Sequence, residues 1–186
     1  MSRALATEDS AARVQGRRDA AADAWESARR PGPKDEAWRR CDPAQFAPER
    51  WALQPAARTT AGLPPAPAEE RFDLIVRIRP GGMEIVDPGR FVERGRVAVR
   101  LLDEADGDEG AGEHLADWGA RGLEPYELYA DGHYTVGLWI HVHRTVQLDA
   151  GILVDFEAGS NGDLFVPRLA IRAGERSAGA VVVQSR

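Results

Sequence analysis

The sequence predicts a mixed α+β chain, mainly β, with helices at the N-terminus and strands thereafter. Three observations carry this. A charged, alanine-rich stretch near the start places its few apolar residues at helical spacing. From Phe72 onward, short runs rich in β-branched and aromatic residues alternate with Gly, Pro, Asn and Asp. No run after Tyr134 is separated from the next by enough residues for a crossover helix, which excludes a doubly wound parallel sheet there.

The chain has 186 residues, enough for one ordinary domain or a small domain with appended segments. Apolar residues make up 43%, but many are alanine, so the core is thinner than that share suggests. Twenty-four basic residues against thirty acidic ones give a net charge of −6, which favours neither nucleic acid nor an anionic membrane surface. Lys34 is the sole lysine, a bias that we read as codon usage rather than a phosphate-binding device. The single cysteine, Cys41, excludes an internal disulfide or multi-cysteine metal site and reads as an inert small residue. Acidic residues stand where a signal peptide needs an apolar core, and no apolar run approaches the roughly 20 residues of a membrane span. A cytoplasmic location is expected.

Taken in order, residues 1–54 read as a helical region. Val14, Ala21, Trp25 and Ala28 fall on one side of a helix running from about Thr7, with Thr7 or Asp9 as its cap. Pro31-Gly32-Pro33 must end it. Its apolar stripe is narrow, so it packs lightly on the rest of the protein or docks on a partner. Asp35 can cap a second short helix with Trp38 inward, Pro43 breaks it, and Phe46 and Trp51 are further anchors. Residues 55–70, rich in Pro and Ala, read as a linker. Residues 71–125 read as a small α+β segment. In it Phe72, Leu74, Val76 and Ile78 alternate with more polar partners, Pro80-Gly81-Gly82 turns the chain, and Met83 to Val86 returns. Asp87-Pro88-Gly89 turns it again before an alternating strand from Arg96 to Leu102. Asp103 to Glu113 is an acidic glycine-bearing stretch without the ordered spacing of a calcium loop, and a short helix follows from His114.

Residues 126–186 hold four β-rich runs: Tyr134 to His143, Thr145 to Phe156, Leu164 to Arg172 and Ala178 to Gln184. Residue patterning leaves a meander, a sandwich or a β-solenoid open for them. The wholly apolar run Ala180 to Val183 asks for neighbours on both faces.

Several of these segments resemble the SufB/SufD family, and its SufD branch in particular. A long helix, a proline-containing break and then Glu36, Trp38, Arg39, Asp42 and Phe46 match the N-terminal region of that family. Further on, Tyr126 to Ala130 followed by Asp131-Gly132 match a helical segment and an Asp-Gly turn. Leu138 to Val142 and Ile152 to Val154 match the next two strands, and Pro167-Arg168-Leu169-Ala170-Ile171 before Ala173-Gly174-Glu175 is the nearest match. There are departures. His143 and Thr145 stand at the places of an expected proline and glycine, Gly151 at that of a second proline, and Gln184 where Glu is frequent.

The resemblance implies that 126–186 begin a right-handed parallel β-helix, cut short. It also implies a non-catalytic scaffold subunit of iron–sulfur cluster assembly, acting with SufB-like and SufC-like (ATPase) subunits. On that view the chain binds no cofactor alone, the cluster being assembled by the complex, and no catalytic residue carries over. Trp25, Trp38 and Arg39 are the candidates for partner contact.

A rival from another class is a small cupin-like metal-binding barrel. His141 and His143, two apart on a strand, share a face and can reach one metal, with His133 and Glu157 or Asp155 as further ligands. Gly137 fits that pattern, but Val146 and Gln147 stand where a Glu is needed. An unrelated α+β interaction module is the third reading.

Overall fold

A computed structural model describes residues 2–32, 34–35, 45, 47–53, 71–79, 82–102, 124–157 and 163–185. The predicted features at 36–44, Trp38 and Arg39 among them, lie outside the described residues. So do Phe46, the linker, the acidic stretch and the helix after it. The fold is mixed α+β and mostly β.

The chain forms two compact units. The first comprises Met1–Gln54, Asp106–Tyr134 and Asn161–Val166. Helix α1 spans Ser2–Ser27, so Thr7 and Asp9 lie inside it rather than capping it. Three of the four residues of the predicted stripe form the packing face, Val14, Ala21 and Trp25 being buried, whereas Ala28 falls just past the helix end and is half-buried. The helix ends where expected, ahead of Pro31, and its last turn is closed by Arg30, whose guanidinium donates to the Trp25 carbonyl at 2.6 Å. A 3-10 turn at Pro48–Arg50 leads into strand β1 (Ala52–Leu53).

The unit's second helix, α2, spans Pro125–His133. Pro125 occupies its first turn, where the missing N–H costs nothing, and the Glu124 N–H donates to the Glu127 carboxylate at 2.9 Å. Asp131-Gly132 is therefore not a turn, contrary to expectation; both residues lie in the last turn of α2. The physical reason is contact with α1. Asp131 is buried and paired with Arg17 at 3.4 Å, and a Cβ on Gly132 would fall 2.7 Å from the Ala22 nitrogen. Only glycine permits that approach of helix to backbone.

The second unit comprises Pro55–Ala105, Thr135–Ser160 and Pro167–Arg186. Its strands are β2 (Leu74–Arg79), β3 (Gly82–Val86), β4 (Val97–Leu101), β5 (Val136–Val142), β6 (Ile152–Phe156), β8 (Pro167–Ala173) and β9 (Val181–Ser185), while β7 (Asp163–Leu164) pairs with β1 in the first unit. They form a four-stranded sheet ordered β3-β2-β6-β9 and a three-stranded sheet ordered β4-β5-β8. The predicted β2–β3 return is an antiparallel hairpin, and β4 shows the predicted alternation of buried and more exposed residues. After Asp87, the loop is held by that residue's carboxylate, which accepts from the N–H groups of Phe91, Val92 and Glu93.

Parallel pairing decides among the options left open for the C-terminal runs: they are not a meander. β5 lies parallel to β8 from Val136↔Pro167 to Val142↔Ala173, and β6 lies parallel to β9 from Ile152↔Val181 to Phe156↔Ser185. Between them Gln147 bridges Ala178, also in parallel. One stretch of chain thus lies along the next in three consecutive places. The predicted run from Thr145 to Phe156 is a strand only from Ile152; its first part is a turn in which Thr145 has φ 62° and Gly151 φ 79°. β5 and β6 are buried at every position, as strands with sheet neighbours on both sides and covered faces must be. β9 is the opposite, exposed along nearly its whole length.

Candidate functional site

In the helical unit, the chemistry gathers around Trp25. Its indole is 1% exposed and lies edge-on to Tyr129 with ring centroids 5.1 Å apart and tilted against Tyr126 at 5.7 Å. The Arg30 guanidinium sits 3.2 Å from the Trp25 ring centroid and pairs with Glu49 at 3.0 Å. Tyr134 and Val166 complete the buried cluster. Burial pushes the phenols of Tyr126 and Tyr129 above the ordinary tyrosine range; Arg30 pulls Tyr126 partly back, and Glu49 raises both. The Trp25 ring is thus enclosed within its own unit and fixes α1 against α2.

His133 ends α2 with its ring stacked on Tyr129, centroids 4.4 Å apart, and its Nδ1 at 3.2 Å from the Tyr129 carbonyl. It belongs to the helical unit, whereas His141 and His143 belong to the strand unit. Those two rings do meet. Their centroids are 4.3 Å apart, His141 on β5 and His143 just past its end, with Trp139 at 6.3 Å from His141. His141 is buried, not solvent-facing, flanked in register by Ala98 on β4 and Arg172 on β8. The other proposed ligands lie elsewhere: Glu157 pairs with Arg79 at 2.9 Å, and Asp155 sits on β6 in the other sheet. Among the described residues, no group of three His, Cys, Asp or Glu side chains converges.

A feature not anticipated from the sequence crosses the four-stranded sheet. Glu84, Arg77, Asp155 and Gln184 stand side by side on β3, β2, β6 and β9. The first three are 5%, 5% and 1% exposed, and Arg77 pairs with Glu84 at 3.4 Å. A cation between two carboxylates offsets much of the cost of burying charge. The sequence signal was present: a charge inside an apolar run occurs in both Leu74-Ile-Val-Arg77-Ile and Leu153-Val-Asp155-Phe. Next to it, Ile75, Val86 and Leu153 form an apolar cluster. At the β8–β9 end of the strand unit, a groove of about 140 Å³ is lined by Val142, Leu148, Ile171, Ala173 and Val181 with the small residues 177–180.

These arrangements position helices, lock strand register and present an apolar edge. No family model matches the chain, and no curated protein matches it. Among the described residues, no helix is long and apolar enough to cross a membrane.

Proposed function

We propose that the chain is a non-catalytic scaffold of SufD type in iron–sulfur cluster assembly, working in the cytoplasm with SufB-like and SufC-like subunits. The observation that carries this reading is the parallel stacking of residues 136–156 on residues 167–185. Two layers in register, paired positions lying about 30 residues apart in the chain, are what the opening of a β-helix requires, since every coil of a solenoid rests on its neighbour. A second observation supports it. Thr145 stands where the resemblance expects glycine, and its backbone has φ 62°, the left-handed region that favours glycine. Pro167, the first residue of the best-matching segment, opens β8, where a strand tolerates proline. In this reading Trp25 acts through the placement of α1, while Trp38 and Arg39 are the direct partner contacts. The chain holds no cofactor of its own, the cluster being the cargo of the complex.

Co-expression with SufB-like and SufC-like subunits tests it. The expected result is co-purification of the chain with one or both, lost on Trp38→Ala with Arg39→Ala. A folded chain that associates with neither overturns the proposal.

The cupin-like reading rests on one observation, the 4.3 Å approach of the His141 and His143 rings. Elemental analysis separates the two. Stoichiometric metal in the purified chain, abolished by His141→Ala, would replace the scaffold reading with a metal-binding one.

A further inference from the structure

Arg30 stands beyond the end of α1 at Ser27, on the coil that leads into Pro31. Its guanidinium meets three kinds of group that recognise such a cation: an aromatic face, a carbonyl oxygen and a carboxylate. The Trp25 ring centroid lies 3.2 Å from it, the Trp25 carbonyl accepts from it at 2.6 Å, and the Glu49 carboxylate pairs with it at 3.0 Å. Tyr126 borders the same place, near enough for the charges of Arg30 and Glu49 to act on its phenol in opposite directions.

The walls of this place are held without Arg30. Trp25 packs on Tyr126 and Tyr129 of α2, and the two helices are joined elsewhere by the Arg17–Asp131 pair and by the close approach of Gly132 to the Ala22 backbone. Arg30 is held more loosely. Its side chain is 38% exposed and that of Glu49 51%, and an ion pair so open to water contributes little to stability. Turning the side chain outward requires no unwinding of α1, since the residue is already outside the helix. A preformed set of partners around a tethered, exchangeable cation is how a binding site filled by its own chain is built.

The chemistry of the walls names the ligand. Glu49 calls for a cation, and an indole face takes a planar guanidinium, which stacks on it, in preference to an ammonium. This chain carries its basic charge as arginine almost alone, with Lys34 the sole lysine, and a partner encoded with the same bias presents arginine. We propose that the place beside Trp25 is a binding site for an arginine side chain of another protein, occupied by Arg30 in the chain alone. Exchange replaces one guanidinium by another, so Glu49 keeps a counter-charge in both states. Arg30 is then an internal competitor, and it sets the affinity a partner must exceed. The proposal holds whichever protein presents the arginine and stands apart from the scaffold reading.

Isothermal titration calorimetry on the whole chain tests it, with the peptide acetyl-Gly-Arg-Gly-amide as the probe. Arg30→Ala vacates the site. A tethered competitor acts at an effective concentration in the millimolar range, so the variant is expected to bind the peptide about tenfold or more tighter than the unaltered chain does. The indole N–H resonance of Trp25 is expected to shift as the peptide is added. Glu49→Gln combined with Arg30→Ala is expected to abolish binding, and the same peptide with citrulline, which keeps the shape and loses the charge, is expected not to bind. Should Arg30→Ala fail to fold, Arg30→Gln takes its place, because it retains an amide donor for the helix end. A folded variant that ignores the peptide, equal affinity in the variant and the unaltered chain, or binding that survives Glu49→Gln would each overturn the proposal. Loss of the fold in both variants would overturn it as well, by making Arg30 a structural part of the helical unit.

Discussion

The residue that most constrains the strand unit is Arg77. It stands on β2 between Glu84 of β3 and Asp155 of β6, all three nearly inaccessible. Removing the cation leaves two buried carboxylates facing each other across a strand. Arg77→Met is therefore expected to cost about 3–5 kcal/mol of stability, measured by urea unfolding at neutral pH. Replacing all three residues by apolar ones of similar volume should recover most of that loss. From sequence, each of these charges was visible as an interruption of an apolar run. Their partnership was not, because it depends on which strands become neighbours, and Arg77 and Asp155 come from distant parts of the chain. The same holds for Asp131 and Gly132. The dipeptide is a turn signal by composition, and α1 overrides it by supplying Arg17 and a backbone that only glycine can meet.

Among the elements, α1 was the most legible. Its apolar spacing, its proline stop and its buried positions follow from the sequence alone; its early start at Ser2 does not. The α1–α2 pair also sets a pH dependence. The phenols of half-buried Tyr126 and buried Tyr129 titrate above the ordinary value near 10. The unfolded chain ionises them first, so their stabilising effect is fully present below that value and is lost as pH rises through the folded pKa values. Thermal unfolding is expected to stay level in this respect up to pH ~10 and to fall beyond it, with Tyr126→Phe and Tyr129→Phe together flattening the fall. Turns were less legible than helices. Thr145 and Arg176 share the left-handed backbone, φ 62° and φ 58°, in turns that lie together through the bond from the Thr145 N–H to the Glu175 carbonyl. Neither is a glycine, so composition gave no sign of the conformation. Thr145 is exposed and β-branched, and Thr145→Gly is expected to stabilise the chain by about 1 kcal/mol, seen as a higher denaturant midpoint with an unchanged slope.

For the molecule as a whole, the mixed and mainly β class followed from the periodicities, and the parallel arrangement of the C-terminal runs did not. Alternation reports which residues share a face; it is silent on whether the neighbouring strand runs up or down. Three long-range hydrogen bonds help to fix that choice. The Asp73 carboxylate accepts from the N–H groups of Ala150 and Gly151 at 2.8 and 3.0 Å, and the Asp73 N–H donates to the Gly151 carbonyl, which holds the start of β6 alongside the start of β2.

The order β3-β2-β6-β9 has a consequence for how the chain loosens. In a row of strands each supported by its neighbour, β2 and β6 open only when strands on either side give way, whereas β9 is held on one side alone. Amide hydrogen exchange should therefore be graded along the row, fastest at Val181–Ser185 and slowest at Ile75–Ile78 and Leu153–Phe156. The layer at that end is a latch as well as a wall: it protects Asp155 and Phe156 from solvent only for as long as it stays closed.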